Sequence, residues 1–365
     1  MRSVAVSVRS TDIRKGETLA PTVTISPSDA EDKSYALKSS NENVLCNIDG
    51  VWTAVGGGSA DLIATASNGV SGKLKITVHV PVEALRLDIS EMTMERHSSF
   101  TLKAMVSPAD TTDRNVSFTT SNSNVATVRN DGTIRATGAG TAVITCTIGG
   151  FTAQCTVTVI VPVVSVTVSV KRSRFQLGDV CTFTVDIFPA DATDKAYTLS
   201  ASSGAVITGN TVSCDASGDI TITATASNGI AGSRTITVID LVAFANEVFR
   251  LTNLERENAG LEPFDRTPEL TKTAVVRANE LTSYYSHNRP DGRSGFTAYS
   301  ENGVTFHAAG ENIAAGYMTP KDMVKGWMDS PGHRANILSP EYGHLGCGVA
   351  MDSTGRLSWS QEFTD

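Results

Sequence analysis

A block of residues recurs three times at a spacing of 81. ISPSDAEDK begins at Ile25, VSPADTTDR at Val106 and IFPADATDK at Ile187. Pro27, Pro108 and Pro189 keep that interval, and so do Asp29, Asp110 and Asp191, then Asp32, Asp113 and Asp194. The opening positions Val4, Leu85 and Val166 follow the same spacing. A fixed period means tandem copies of one structural unit, so the first two thirds of the chain must fold the same way three times. Within each copy apolar and polar residues alternate, as in Val164–Val170 and Lys73–Val80, and Thr, Val and Ile dominate. Alternation with period two buries one face of a pleated strand. Each copy is therefore expected to be all-β, with about seven short antiparallel strands forming a sandwich.

The copies meet at Val80-Pro81-Val82 and Val161-Pro162-Val163 with almost no linker. Proline fixes φ and stiffens such a joint. The expected boundaries are 1–80, 81–161 and 162–239, read as a semi-rigid stalk, with a domain of different character over 240–365. The P-x-D-x-x-D turn and the closing strands GTAVITCTI and DITITATA resemble those of bacterial immunoglobulin-like domains. That resemblance implies a fold and no particular activity, since such modules serve widely as spacers.

Hydrophobic residues make up 40% of the chain and charged residues 19%, which suits folded domains. The net charge of −8 offers no basic patch for phosphate contacts, so nucleic acid is not an expected partner. No apolar run reaches the roughly 18 to 20 residues of a spanning helix. Met1-Arg2-Ser3-Val4 leads directly into a strand pattern without the apolar core of an export signal. The six cysteines, Cys46, Cys146, Cys155, Cys181, Cys214 and Cys347, form no C-x-x-C pair and do not recur in every copy. They are read as small buried hydrophobes, with Cys146–Cys155 and Cys181–Cys214 as the alternative bridges.

After Ile239 the apolar period changes from two to 3.6. Asp240 can cap a helix with apolar positions Leu241, Phe244, Val248, Leu251 and Leu254, ended by Gly260. Thr267-Pro268 starts a second helix with the stripe Leu270, Ala274, Ala278, Leu281 and Tyr285, and Thr319-Pro320 starts a third carrying Met323 and Trp327. Ser330-Pro331 looks like the start of a further short helix. Strands are expected over 311–315, 345–351 and 357–363, which makes this domain α+β.

Three segments carry possible chemistry: SHNRPDG at 286–292, GENIAAG at 310–316 and WMDSPGHRANIL at 327–338. Each presents one residue beside turn-forming Gly or Pro: His287, Glu311 and His333. Two histidines and a glutamate with an open position form a known zinc arrangement. The same three could instead hydrogen-bond one another, or a His–Glu pair could activate water or a serine. No G-x-S-x-G or H-E-x-x-H motif is present to favour hydrolysis.

These segments, with HLGCGVA and LSWSQEF, resemble the CAP superfamily in its bacterial SCP-like form, over about 241–365. The resemblance implies a three-layer α-β-α sandwich with a central cleft, in which His287, Glu311 and His333 match three of four cleft residues. The fourth, a glutamate in the family, is Ser330 here. By the family pattern Gln361 faces the cleft and Glu362 solvent, and Ser330, Asn312, Gln361 and Trp327 are expected to line it. The full expectation is a multidomain, monomeric, extracellular or cell-surface protein: three all-β immunoglobulin-like sandwiches followed by an α+β CAP domain. Its cleft is expected to bind a peptide, glycan or lipid group, with a divalent ion such as zinc as the one implied cofactor. A hydrolase using the same cleft, and an adhesion protein acting through its repeats, are the alternatives.

Overall fold

A computed structural model describes residues 1–365. The chain divides into two compact units, Met1–Pro162 with Asp191–Thr193, and Val163–Ala190 with Asp194–Asp365. The change of architecture at residue 240 thus falls inside the second unit.

In the first copy of the repeat a four-stranded sheet runs Asp12–Arg14, Ser71–His79, Gly58–Ala66, Tyr35–Ser39. Its apolar face shares one core with the pair Ser3–Ser7 and Thr22–Ser26, through Val4, Val6, Leu62, Ile76 and Val78. The second copy repeats the order with Glu91–Glu95, Phe151–Ile160, Gly140–Ile148 and Ser117–Thr120, and the third with Arg174–Gln176, Ala231–Ile239, Gly218–Ala226 and Tyr197–Ala201. One feature departs from the antiparallel expectation. In every copy the short strand at the sheet edge pairs in parallel with the last strand. The opening segment leaves its antiparallel partner after a few residues and crosses to the other sheet, where it lies alongside the closing strand. The repeated aspartates close turns, as expected: Asp32, Asp113 and Asp194 accept the N–H two residues ahead at 2.8, 3.2 and 2.9 Å. Within the first unit Lys15 pairs with Asp110 at 2.7 Å, and Arg96, 81 residues on, pairs with Asp191 at 2.6 Å.

All six cysteines are free. Cys146 lies opposite Ala153 and Cys155 opposite Ile144, so the two thiols are diagonal neighbours on one hairpin. Diagonal positions are about 7–8 Å apart, beyond the usual Cα span of a disulfide. Burial pushes the Cys181 thiol up to about 11 and Cys347 up to about 12, so neither is a thiolate at neutral pH.

The C-terminal domain has three layers. Its sheet is antiparallel, with Leu357–Thr364 in the centre, Ala309–Ala315 on one edge and His344–Met351 on the other. The helices are α1 (Leu241–Asn258), α2 (Pro268–Leu281), α3 (Thr297–Glu301), α4 (Pro320–Asp329) and α5 (Pro331–Ile337). Helices α1, α4 and α5 cover one face, around Val248, Trp327, Ile337, Trp359 and Phe363. Helices α2 and α3 cover the other through Leu270, Ala274, Ala278 and Tyr299.

The caps fall where the sequence places them. Asp240 accepts from Ala243 N–H, Thr267 from Leu270 N–H and Thr319 from Asp322 N–H. Two expectations shift. Helix α1 buries Thr252 and Arg256 while Leu254 is 41% exposed, because the polar tips find partners: Arg256 donates to the carbonyls of Glu262, Ile337 and Ser339. Helix α2 stops at Leu281, so Tyr285 belongs to the following loop.

Helix α2 lies directly on the edge strand through two glycines. A Cβ at Gly346 would stand 2.2 Å from Leu270 O, and one at Gly348 would stand 2.1 Å from Ala274 O. No side chain fits between helix and sheet there. Gly348→Ala is expected to force α2 outward and cost about 1–3 kcal/mol or more, read as a lowered thermal midpoint. An unchanged midpoint would refute this packing account.

Candidate functional site

The strand Ala309–Ala315 builds the site from both of its faces. Successive side chains of a strand point to opposite sides. Glu311 therefore points into the α2 layer and Asn312 into the α5 layer, and each anchors one wall of the same cleft.

On the α2 side, Glu311 has a side chain only 5% exposed. Its Oε1 accepts from Arg277 Nε at 2.7 Å and its Oε2 lies 2.6 Å from His287 Nδ1. A carboxylate only accepts, so Nδ1 carries the proton and Nε2 is left toward the cleft. Arg277 is fully buried. Besides Glu311 it donates to Glu280 at 2.5 Å and to the carbonyls of Ser286 and His287 at 2.9 and 3.3 Å. One guanidinium thus fixes both the carboxylate that orients His287 and the backbone that carries it. Burial opposes its charge, but Glu311 and Glu280 outweigh that and raise its pKa further. Arg289 extends the network outward, gripping Glu280 with two nitrogens and Glu301 with a third.

On the α5 side, Asn312 donates from Nδ2 to His333 O and to Gln361 Oε1, both at 3.1 Å, and accepts from Asn336 Nδ2 at 2.9 Å. Gln361 in turn donates to Thr252 of α1 at 2.7 Å. This chain of amides holds α5, and with it His333, against the sheet. Burial first, and His287 second, lower the His333 pKa, so the ring is neutral at pH 7 and can accept a hydrogen bond. The two imidazoles open into one cavity of about 330 Å³, lined by Tyr285, Ser286, His287, Asn288, Ile313 and His333.

Beneath the site, Glu362 sits directly opposite Glu311 in the sheet and is completely buried. Tyr299 Oη is 2.8 Å from Gly310 O and 2.7 Å from Glu362 Oε2. The hydroxyl has one proton and the carbonyl can only accept. Tyr299 therefore donates to Gly310, and the proton between Tyr299 and Glu362 belongs to Glu362. Ser360 donates to its other oxygen. Burial, then the Glu311 charge, push the Glu362 carboxyl well above the usual range.

With this geometry in place the chain can be set beside known proteins. Residues 249–363 match the family model for CAP, the cysteine-rich secretory protein family, and residues 81–159 match the bacterial Ig-like domain (group 2). The C-terminal domain is a CAP domain. An uncharacterized protein of Bacillus subtilis, YkwD, is 38% identical over 123 residues, covering 33% of this chain and 47% of that protein. The uncharacterized membrane protein YlbC of the same organism is 33% identical over 105 residues, covering 28% and 30%. The chain thus spans about half the length of the first of these relatives and less of the second. A solved extracellular protein containing an SCP domain, from Bacillus anthracis, is 27% identical over 33% of this chain and 40% of its own, with a TM-score of 0.31.

The CAP domain brings His287, Glu311 and His333 to one place, but they do not form the expected three-ligand zinc set. No three His, Cys, Asp or Glu side chains are grouped closely enough to hold a metal ion. Both Glu311 oxygens already accept a hydrogen bond, one from the Arg277 cation and one from His287. As arranged, Glu311 braces His287 and is not presented as a third ligand.

The other expected cleft residues lie elsewhere. Asn312 and Gln361 are fully buried and act as braces, and Trp327 is core at 1% exposure. Ser330 stands at the head of α5 without a side-chain cap bond. Glu362 is not turned to solvent: α2 and α3 cover the face it occupies. Sequence reading passed over Arg277 and Tyr299, and placed Glu362 on the wrong side of the strand. Arg277 was detectable, being a charged residue at the buried spacing of α2, four residues after Thr273 and seven after Leu270.

Proposed function

We propose that the CAP domain is an extracellular ligand-binding domain whose His287–His333 cleft holds a polar group of a peptide, glycan or lipid without a metal ion, and that the immunoglobulin-like repeats present it at the cell surface. The observation that carries this reading is the adjacent pair Glu311 and Asn312. The first orients His287 from one face of the sheet and the second holds the His333 backbone from the other. An oriented imidazole on each wall and the apolar Ile313 then share one small cavity, which is the composition of a polar recognition site. The family description, secretory protein, supports the extracellular placement. No helix of the chain is long and apolar enough to cross a membrane.

The test is binding of the full chain to peptidoglycan fragments, short peptides and phospholipid vesicles, with His287→Ala/His333→Ala as the control. Binding in one class that falls roughly tenfold or more in the double variant is expected. Equal binding by both proteins would remove the cleft from the function. Calorimetric titration with Zn²⁺ is expected to give no heat that depends on the two histidines, and heat that does would restore the metal reading.

A second reading rests on the His287–Glu311 pair, which has the geometry of a general base for water. Ser358 and Ser360 are buried in the central strand and cannot act as nucleophiles. Turnover of a peptide or ester that disappears in Glu311→Gln would establish hydrolysis.

A further inference from the structure

The sheet of the CAP domain has a second edge, away from the cleft. Strand His344–Met351 pairs with the central strand on one side only. Its other side begins to be paired by the chain itself. Asp265 makes a one-residue parallel bridge with His344, and Leu345 N–H donates to Asp265 O at 2.9 Å. The chain then turns away, because Thr267 caps α2. Backbone groups alternate sides along an antiparallel strand, so the N–H and C=O of Cys347, Val349 and Met351 face the same side as those of Leu345. They find no partner there. Cys347 and Val349 are only 1% and 6% exposed.

These groups line a cavity of about 560 Å³ between α1 and α2. Leu241 and Val242 stand on one side and Val275 on the other, with Val242 71% exposed, and the polar residues Asp240, Thr271 and Asn279 share the lining. Arg266 stands at the end near Asp265. Its guanidinium lies over Phe249 and donates to Asn246, with no carboxylate partner. Leu177 of the third repeat closes the opposite end. It occupies the position of Lys15 and Arg96 in the first two repeats, so here an apolar wall replaces the basic residue that makes an ion pair in the other copies.

We propose that this groove binds an extended peptide as a fourth strand of the sheet. Its apolar side chains alternate into the α1 and α2 walls, and a carboxylate of the peptide meets Arg266. The unpaired backbone groups recur at strand spacing over about 14 Å, the length of five residues, which fits a peptide backbone better than an apolar small molecule. Main-chain pairing supplies affinity and the walls supply selectivity. The site is independent of the histidine cleft.

The test is selection of a display library of random octapeptides on the full chain, followed by synthesis of an enriched sequence. Enrichment of peptides that alternate apolar residues and carry an acidic group is expected. Val275→Arg or Val242→Arg, both at exposed positions, should each weaken the synthetic peptide roughly tenfold or more, and so should N-methylation of its alternate amides. His287→Ala should leave binding unchanged. The proposal is overturned by an absence of enrichment, by binding that survives both wall variants or N-methylation, or by binding lost in His287→Ala.

Discussion

Arg277→Met is expected to destabilise the CAP domain by about 3–5 kcal/mol, the usual cost of removing one partner from a buried ion pair. Methionine keeps most of the side-chain volume, so the loss is electrostatic. It leaves the Glu311 carboxylate buried with His287 as its one side-chain partner, leaves Glu280 to Arg289 alone, takes the donor from the Ser286 carbonyl and leaves the His287 carbonyl with Gly295 N–H only. Two of the three tryptophans, Trp327 and Trp359, lie in this domain, so the tryptophan emission midpoint in denaturant reports mainly on it. The decisive comparison is the double variant Arg277→Met/Glu311→Gln. Removing the stranded charge should recover about 1–2 kcal/mol of the loss, because contacting charges are not additive. A double variant as unstable as the sum of its parts would mean that Arg277 acts through packing and not through Glu311. Cleft binding should fall with Arg277→Met even where the domain is still folded, since the loop carrying His287 is then free to move.

Most of the fold was legible because its signals are local. The 81-residue period, the alternating strands and the three Thr or Asp caps each depend on neighbouring residues, and each appears where expected. The parallel edge strands of the repeats were not legible, since they arise from a crossover between sheets and leave no mark on alternation. The end of α2 was misplaced by one turn for a similar reason: Tyr285 continues the apolar spacing, but it leaves the helix to line the cleft and donates its hydroxyl to Ile313 O.

The site was legible in part. His287, Glu311 and His333 stood out because each is a chemically rare residue beside a turn. What they do together depended on residues that look unremarkable in the sequence. Arg277 sits in an ordinary helix, and Asn312 follows Glu311 in a strand whose period sends the two in opposite directions. Glu311 stood out in the sequence, and the Arg277 cation that holds it did not. Pairing between distant segments decided the outcome, and spacing along the chain carries no record of it.

Glu362→Gln is expected to stabilise the domain at neutral pH and to flatten its pH dependence. The folded-state pKa of Glu362 is raised above its ordinary value of 4.5, chiefly by burial and then by Glu311. Below about pH 4.5 the carboxyl is protonated in the folded and the unfolded chain alike, so its contribution is fully present. As the pH rises the unfolded chain releases the proton while the folded chain keeps it, and stability falls by about 1.4 kcal/mol per pH unit until the raised pKa is passed. Glutamine has the shape of the neutral acid: its amide can donate to Tyr299 and its oxygen can accept from Ser360. The substitution should therefore keep both bonds and remove the slope. The wild type and the variant should be nearly equal near pH 4.5 and diverge by more than about 1 kcal/mol by pH 7, in the variant's favour. Glu362→Ala, which strands Tyr299 and Ser360 and leaves a cavity, should be destabilising at every pH. Parallel stability curves for wild type and Glu362→Gln would show that Glu362 is ionised in the folded protein, and the hydrogen-bond assignment through Tyr299 to Gly310 would fall with it.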